Sequence, residues 1–171
     1  MEKINLGISL IFVGITLILN GIDMLNPKKS NKDLIIINLF TSFLIFLFNF
    51  KGLLSIESQK QAIGNLGGLL FGLTNLLVAF DIIFKTNKKV TGVYCGLSFV
   101  LAVSLGIFYI LNAETLLGVL WLVWSLIWLF IFFAVIVTDK MKTSASIMLM
   151  CQGALSTLLI GTLTIFQIIK I

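Results

Sequence analysis

The run LGVLWLVWSLIWLFIFF, Leu117 to Phe133, decides the fold class of this chain. It lies inside an uncharged stretch from Thr115 to Thr138, and roughly 17 to 25 apolar residues suffice to cross a bilayer as a helix. It also holds every tryptophan of the chain: Trp121, Trp124 and Trp128. On a helix the spacing i, i+3, i+7 falls within an arc of roughly 60°, so the three indoles form one stripe. Trp128 stands about 10 Å further along the axis than Trp121 at 1.5 Å per residue, which is too far for one interfacial belt. At least one indole is therefore expected well inside the hydrocarbon region.

The composition agrees. Of 171 residues 59% are hydrophobic and 11% charged, with a mean hydropathy of +1.15, far from a soluble domain and typical of an integral membrane protein. There is no histidine, and Cys95 and Cys151 fall inside apolar stretches. A metal site, a cofactor or a disulfide framework is not expected. The net charge of +5 comes from twelve lysines scattered in short loops. They read as topology signals and give no nucleic-acid surface.

Six stretches lack charge: Ile4 to Ile22, Leu34 to Phe50, Gln61 to Phe80, Val90 to Ala113, Thr115 to Thr138 and Thr143 to Ile169. Backbone amides in lipid must be satisfied within the segment, so six transmembrane helices are expected. The first contains Asn20 and is not followed by a small-x-small cleavage pattern, so it is read as a retained helix. Lys28, Lys29, Lys32, Lys85, Lys88, Lys89, Lys140 and Lys142 follow the odd-numbered helices, against Lys3, Lys51, Lys60 and Lys170 on the other side. The first set marks the cytoplasmic face and both termini are expected outside. Pro27 marks the first turn.

A repeat underlies this layout. Asp23, Asp81 and Asp139 each close an odd-numbered helix at a constant spacing of 58 residues, and Gly14, Thr16 and Asp23 correspond to Gly72, Thr74 and Asp81. The expectation is one domain, residues 1–171, an all-α membrane protein whose six helices form three two-helix hairpins around a narrow pore. Gly7, Gly14 and Gly21, then Gly64, Gly68 and Gly72, and then Gly92 with Gly96, are small-residue faces for close helix packing. The aspartates are expected to pair with adjacent lysines.

No carboxylate, lysine or arginine falls near the centre of a span, whereas ion and proton pathways place such groups there. What remains inside is neutral: Asn20, Asn38, Asn49, Asn65, Thr74, Asn75, Gln152, Ser156 and Thr157. Most such groups hydrogen-bond between helices. A minority along an axis would replace part of the water around a small uncharged polar solute, between aromatic walls that select by shape. Leu10, Val13 and Leu17 repeat the i, i+3, i+7 spacing of the tryptophans, so the two stripes can face one another across a slit.

The segments LIFVGITLILNGI (Leu10 to Ile22), GLLFGLTNLLVAF (Gly68 to Phe80) and WLVWSLIWL (Trp121 to Leu129) resemble the urea and amide channel family, AmiS/UreI, known best for its proton-gated urea channels. The resemblance covers nearly the whole chain. It implies a six-helix protomer with its own pore, assembled as a hexamer around a lipid-filled centre, that passes urea or short amides passively to a cytoplasmic urease or amidase. It further implies a pore lined by Leu10, Val13 and Leu17, by Trp121, Trp124, Ile127 and Trp128, and by Phe71. Two positions depart from the gated members, with Asn75 in place of an aromatic and Gln152 in place of a carboxylate. The long histidine-bearing outer loop of those members is replaced by the short run Leu53 to Lys60. Histidine is the side chain that titrates in mild acid, so a channel not gated by histidine protonation is expected, with Glu2, Glu57 and Glu114 the remaining outer carboxylates.

Two alternatives stand beside that reading: a channel for another neutral solute (an aliphatic amide, water or ammonia), and a non-conducting scaffold whose tryptophans only pack. An enzyme is not expected, since no paired carboxylates or phosphate-binding glycine loop accompany the missing histidine. The expected location is the inner (cytoplasmic) membrane.

Overall fold

The computed structural model of the chain describes residues 2–26, 32–54 and 58–169. Pro27, Lys28, Lys29, Glu57 and Lys170 lie outside the described residues, as do the side chains of Glu2 and Lys3. The described residues form helices joined by short turns, with no strand among them: α1 (Glu2–Leu25), α2 (Asp33–Leu53), α3 (Gln59–Phe84), α4 (Lys89–Leu111), α5 (Thr115–Phe132), α6 (Lys142–Gln152) and α7 (Leu159–Ile165). They make six spans of 21 to 27 residues with mean hydropathy from 1.6 to 2.7, each long and apolar enough to cross a membrane. The chain is an all-helical, multi-pass membrane protein.

The last two spans are not the continuous helices that their sequences suggest. The fifth runs on from α5 into a π-helical segment, Phe133–Val137. The sixth joins α6 to α7 through another, Gly153–Leu158. In this second segment hydroxyls compete for the carbonyls of the helical ladder. Ser156 Oγ donates to the Gln152 carbonyl at 2.9 Å, and Thr157 Oγ1 donates to the Gly153 carbonyl at 2.7 Å and to that of Gln152 at 3.2 Å. Wide turns of this kind follow where side chains intrude on the i to i−4 pattern.

Each helix packs against its neighbours in sequence, and α1 closes the ring against the sixth span. The closest seams join α2 to α3, α4 to α5 and α1 to the sixth span, so the repeating hairpin packs tightest across the α2–α3 and α4–α5 connections and less closely between α1 and α2 or α3 and α4. Glycine explains the seams. Gly7 and Gly161 lie backbone to backbone, as do Gly14 with Gly153 and Gly106 with Gly118, while Gly52 and Gly68 of the α2–α3 seam receive the side chains of Asn65 and Asn49. Going round α1, Gly7, Gly14 and Gly21 meet the sixth span. Thr16 and Asn20 instead hydrogen-bond Thr41 and Asn38 of α2, the hydroxyls at 2.8 Å and the two amides reciprocally at 3.1 and 2.9 Å. Leu10, Val13 and Leu17 lie between those two faces, turned into the interior.

The expected aspartate–lysine pairing holds at Asp139, which meets Lys142 at 2.8 Å on the surface. At Asp81 it does not. This carboxylate is buried, accepting from Thr91 Oγ1 at 2.5 Å and from Thr86 Oγ1, and so ties the end of α3 to the start of α4. A buried carboxylate needs donors close by, and two hydroxyls supply them where the flexible lysines stay in solvent.

A methyl group at Gly14 would stand 2.6 Å from the Gly153 carbonyl oxygen and 2.7 Å from the Leu158 nitrogen, backbone atoms that cannot swing aside. At Gly64 it would meet only the Tyr109 hydroxyl, at 3.3 Å. Gly14→Ala should therefore cost about 1–3 kcal/mol by overpacking, read as a lowered thermal unfolding temperature in detergent, with Gly64→Ala near neutral.

Candidate pore

An aromatic column fills the centre of the ring. Its first wall is the inward face of α5, where Trp121, Trp124, Ile127 and Trp128 are all buried. Its second is a stripe of α3 along one helix face: Gly67, Phe71 and Thr74. Trp121 lies over Gly67 so closely that any side chain there would overlap the indole. Phe71 then meets all three tryptophans, with ring centroids 6.0 Å from Trp121, 5.7 Å from Trp124 and 4.7 Å from Trp128. Trp121 and Trp124 touch edge to face at 5.3 Å, a favoured arrangement of the ring quadrupoles.

The two deeper indoles are anchored in different directions. Trp128 Nε1 donates to Thr74 Oγ1 of α3 at 2.8 Å. Trp124 Nε1 donates to the hydroxyl and the carbonyl of Ser156 in the sixth span, at 3.2 and 3.3 Å. A buried indole N–H requires an acceptor, so each bond fixes a ring and locks α5 to a neighbour. The hydroxyl that widens the sixth span is the one that holds Trp124.

The third wall is α1. Leu10, Val13 and Leu17 belong to one apolar cluster with the indoles, Ile127 and Phe71. The Cβ atoms of Leu10 and Leu17 also lie against Gly161 and Gly153, so this stripe borders the sixth span as well as the axis. Phe71, rather than the α1 stripe, is the residue in ring contact with all three indoles. The centre of the ring is filled at this level: Trp128 is 0% exposed, and Trp124 and Ile127 are 1% exposed, which leaves no room for even a water molecule against them.

The two polar positions of the site are buried beside this column. Asn75 Nδ2 donates to the carbonyl of Phe71 in its own helix at 2.9 Å. Gln152 Nε2 donates to the Val123 carbonyl of α5 at 2.8 Å and to Met148 Sδ at 3.1 Å, while its Oε1 has no hydrogen-bond partner. The amide orientation follows from the contact, since the Val123 carbonyl can accept from Nε2 and would repel Oε1. Asp81 is the one buried charge among the described residues, and it lies about 10 Å along α3 from Thr74.

All ten residues expected at the site are therefore buried, and the aromatic and aliphatic ones share a cluster. Sequence reasoning missed Gly67 as the seat of Trp121, and treated Thr74 and Ser156 as general interior polar residues when they are the acceptors for two indoles. The signal was present: Gly67, Phe71 and Thr74 have the i, i+4, i+7 spacing of one helix face, masked by the more conspicuous ridge of Gly64, Gly68 and Gly72.

A family model described as AmiS/UreI family transporter matches residues 5–168. Two solved structures share the fold. The crystal structure of the urea channel from the human gastric pathogen Helicobacter pylori has a TM-score of 0.83 at 24% identity, covering 95% of this chain and 98% of that one. The cryoEM structure of the Helicobacter pylori urea channel in a closed state has a TM-score of 0.79 at 22% identity, covering 96% and 100%. No curated protein matches.

Thr74→Val keeps the shape of the side chain and removes the acceptor of Trp128. Leaving the indole N–H buried and unpaired should cost about 1–3 kcal/mol, measurable as a lower thermal midpoint. Thr74→Ser, which keeps the hydroxyl, should recover most of it.

Proposed function

From the premise that the chain belongs to the AmiS/UreI family of transporters, we propose that it is a passive channel for urea or short-chain amides, not gated by histidine protonation and without a cofactor. The observation that carries this reading is the chemistry of the column. It consists of flat aromatic rings, aliphatic side chains and neutral hydrogen-bonding groups, and the one buried carboxylate among the described residues lies at the end of α3. An ion entering such a passage would lose its water and meet no countercharge. A neutral amide would lose less and regain part of it from fixed polar atoms.

The geometry suggests which parts yield. Trp124 and Trp128 are tethered by their N–H groups, whereas Phe71, Leu10, Val13 and Leu17 have no polar handle and can change rotamer without breaking a hydrogen bond. Opening then means displacement of Phe71 and the α1 stripe from a fixed indole wall. Gln152 Oε1 is the acceptor in wait: buried and unpaired, it carries a penalty of about 1–3 kcal/mol that an amide N–H of the solute relieves. Leu10, Val13, Leu17, Phe71, Asn75, Trp121, Trp124, Ile127, Trp128 and Gln152 are accordingly the proposed pore residues. The rest of the family pattern is part of the proposal: a hexamer embedded in lipid, both termini outside the inner membrane, and a urease or amidase as consumer.

One observation favours a different neutral solute. Asn75, one turn from Phe71, puts an amide where the gated relatives have an aromatic, so the slit is more polar there and admits other shapes. Relative permeation of urea, acetamide and thiourea separates the two. The closed packing of the axis would also suit a non-conducting scaffold, and flux decides that.

Purified protein in liposomes, followed by stopped-flow light scattering, tests the reading. Urea flux should exceed that of empty vesicles and change by less than about twofold between pH 7 and pH 5, because no histidine titrates there. A several-fold rise in acid would contradict it. Gln152→Leu, which removes one hydrogen-bonding partner, should lower urea flux by between about twofold and tenfold, and Trp128→Ala should alter it more. Unchanged flux in a folded Trp128→Ala oligomer would favour the scaffold.

A further inference from the structure

We propose that the outer face of α4, beside α5, is a binding groove for one acyl chain of an anionic phospholipid, with the lipid phosphate held by Lys89. A groove of about 400 Å³ is lined by Lys89, Val90, Val93, Tyr94 and Leu97. A second, of about 380 Å³, shares Val93 and Leu97 and continues past Gly96 and Phe99 to Leu129 and Phe132 of α5. Together they make one apolar channel running down the helix from its lysine end.

Its length and charge select the occupant. From Lys89 to Phe99 the helix rises about 15 Å, half of the ~30 Å hydrocarbon core and so the depth of one leaflet. The walls are apolar and outward-facing, Val90 at 71% and Leu97 at 63% exposure, on a helix long and apolar enough to cross a membrane. At the mouth Lys89 opens α4, and Lys85 and Lys88 lie in the turn before it, both exposed and both held in the left-handed region at φ 50° and 62°. Three cations at the head of a one-leaflet apolar groove match an acidic headgroup with a single tail below it.

At Gly96 the Phe132 ring lies against the backbone where a side chain would otherwise stand, so that ring forms part of the groove's wall. Tyr94 is held in the wall by its hydroxyl, which donates to the Leu70 carbonyl at 2.9 Å. That carbonyl also accepts from Thr74 Oγ1 at 2.7 Å, and Thr74 in turn accepts from Trp128. A tail leaning on Tyr94 is thereby joined to the aromatic column through three hydrogen bonds.

The inference needs the helices to span a membrane and is independent of which solute passes, so a binding measurement tests it apart from flux. Native mass spectrometry of the purified protein, with phosphatidylglycerol and phosphatidylcholine in competition, is the direct experiment. The expected result is retention of phosphatidylglycerol in preference to phosphatidylcholine, a preference that Lys89→Gln reduces by about fivefold. Leu97→Trp, which fills the groove from a lipid-facing position, should reduce retention of both. Tyr94→Phe should keep the lipid but abolish any shift of tryptophan emission that phosphatidylglycerol causes in the unsubstituted protein. Equal retention of the two lipids, or retention indifferent to both Lys89→Gln and Leu97→Trp, overturns the proposal. So does a Leu97→Trp protein that loses its oligomeric state with lipid retention unchanged, because the groove would then be a seam between subunits.

Discussion

Two indole N–H groups buried where no water reaches them constrain the rest of this molecule. Each must find an acceptor on another element, and the acceptors are Thr74 in α3 and Ser156 in the sixth span. Those two bonds fix α5 relative to two neighbours and hold Trp124 edge-on and Trp128 tilted against Phe71. They also account for local irregularity. Ser156 holds Trp124 from within a π-helical segment, where it and Thr157 take up carbonyls of the ladder. The wide turn and the anchored ring share one hydroxyl.

The ring can close so tightly because glycine removes side chains where helices cross. In lipid there is little hydrophobic driving force between helices, so contact rests on packing and a few hydrogen bonds. Backbone-to-backbone seams at Gly7 with Gly161, Gly14 with Gly153 and Gly106 with Gly118 provide the first. The Asn20–Asn38 amide pair and the Thr16–Thr41 hydroxyl pair provide the second between α1 and α2. The result is a centre with two chemically distinct walls, aliphatic side chains and Phe71 on one side and, on the other, indoles of which Trp124 and Trp128 cannot turn without breaking a hydrogen bond.

Much of this was legible in the residues. Uncharged runs of membrane length specify six helices because the backbone has few other ways to satisfy itself in lipid. The spacing of Trp121, Trp124 and Trp128 specifies a stripe because a helix has one period. The heptad of Gly7, Gly14 and Gly21 announces a packing face, and all three meet the same partner span. Which partner is not written locally: the 58-residue repeat suggests hairpins closed at the lysine-rich end, whereas the tight seams run across the opposite connections. Asp81 is similar. Its neighbours in sequence include Lys85, but its partners are Thr86 and Thr91, brought round by the turn between α3 and α4. Gly67 escaped notice because its role depends on an indole of another helix, and no single-helix pattern carries that information.

The proposed channel is an uncharged, indole-walled constriction that passes neutral planar solutes and rejects charged ones of the same shape. Urea and guanidinium are such a pair, both planar and of similar size, differing chiefly in charge. Their fluxes into vesicles containing the purified protein, each referred to protein-free vesicles, test it most directly. Protein-dependent entry of urea is expected, with guanidinium entry at the protein-free level. Protein-dependent entry of guanidinium comparable to that of urea would contradict it, as would the absence of protein-dependent flux for any small neutral solute.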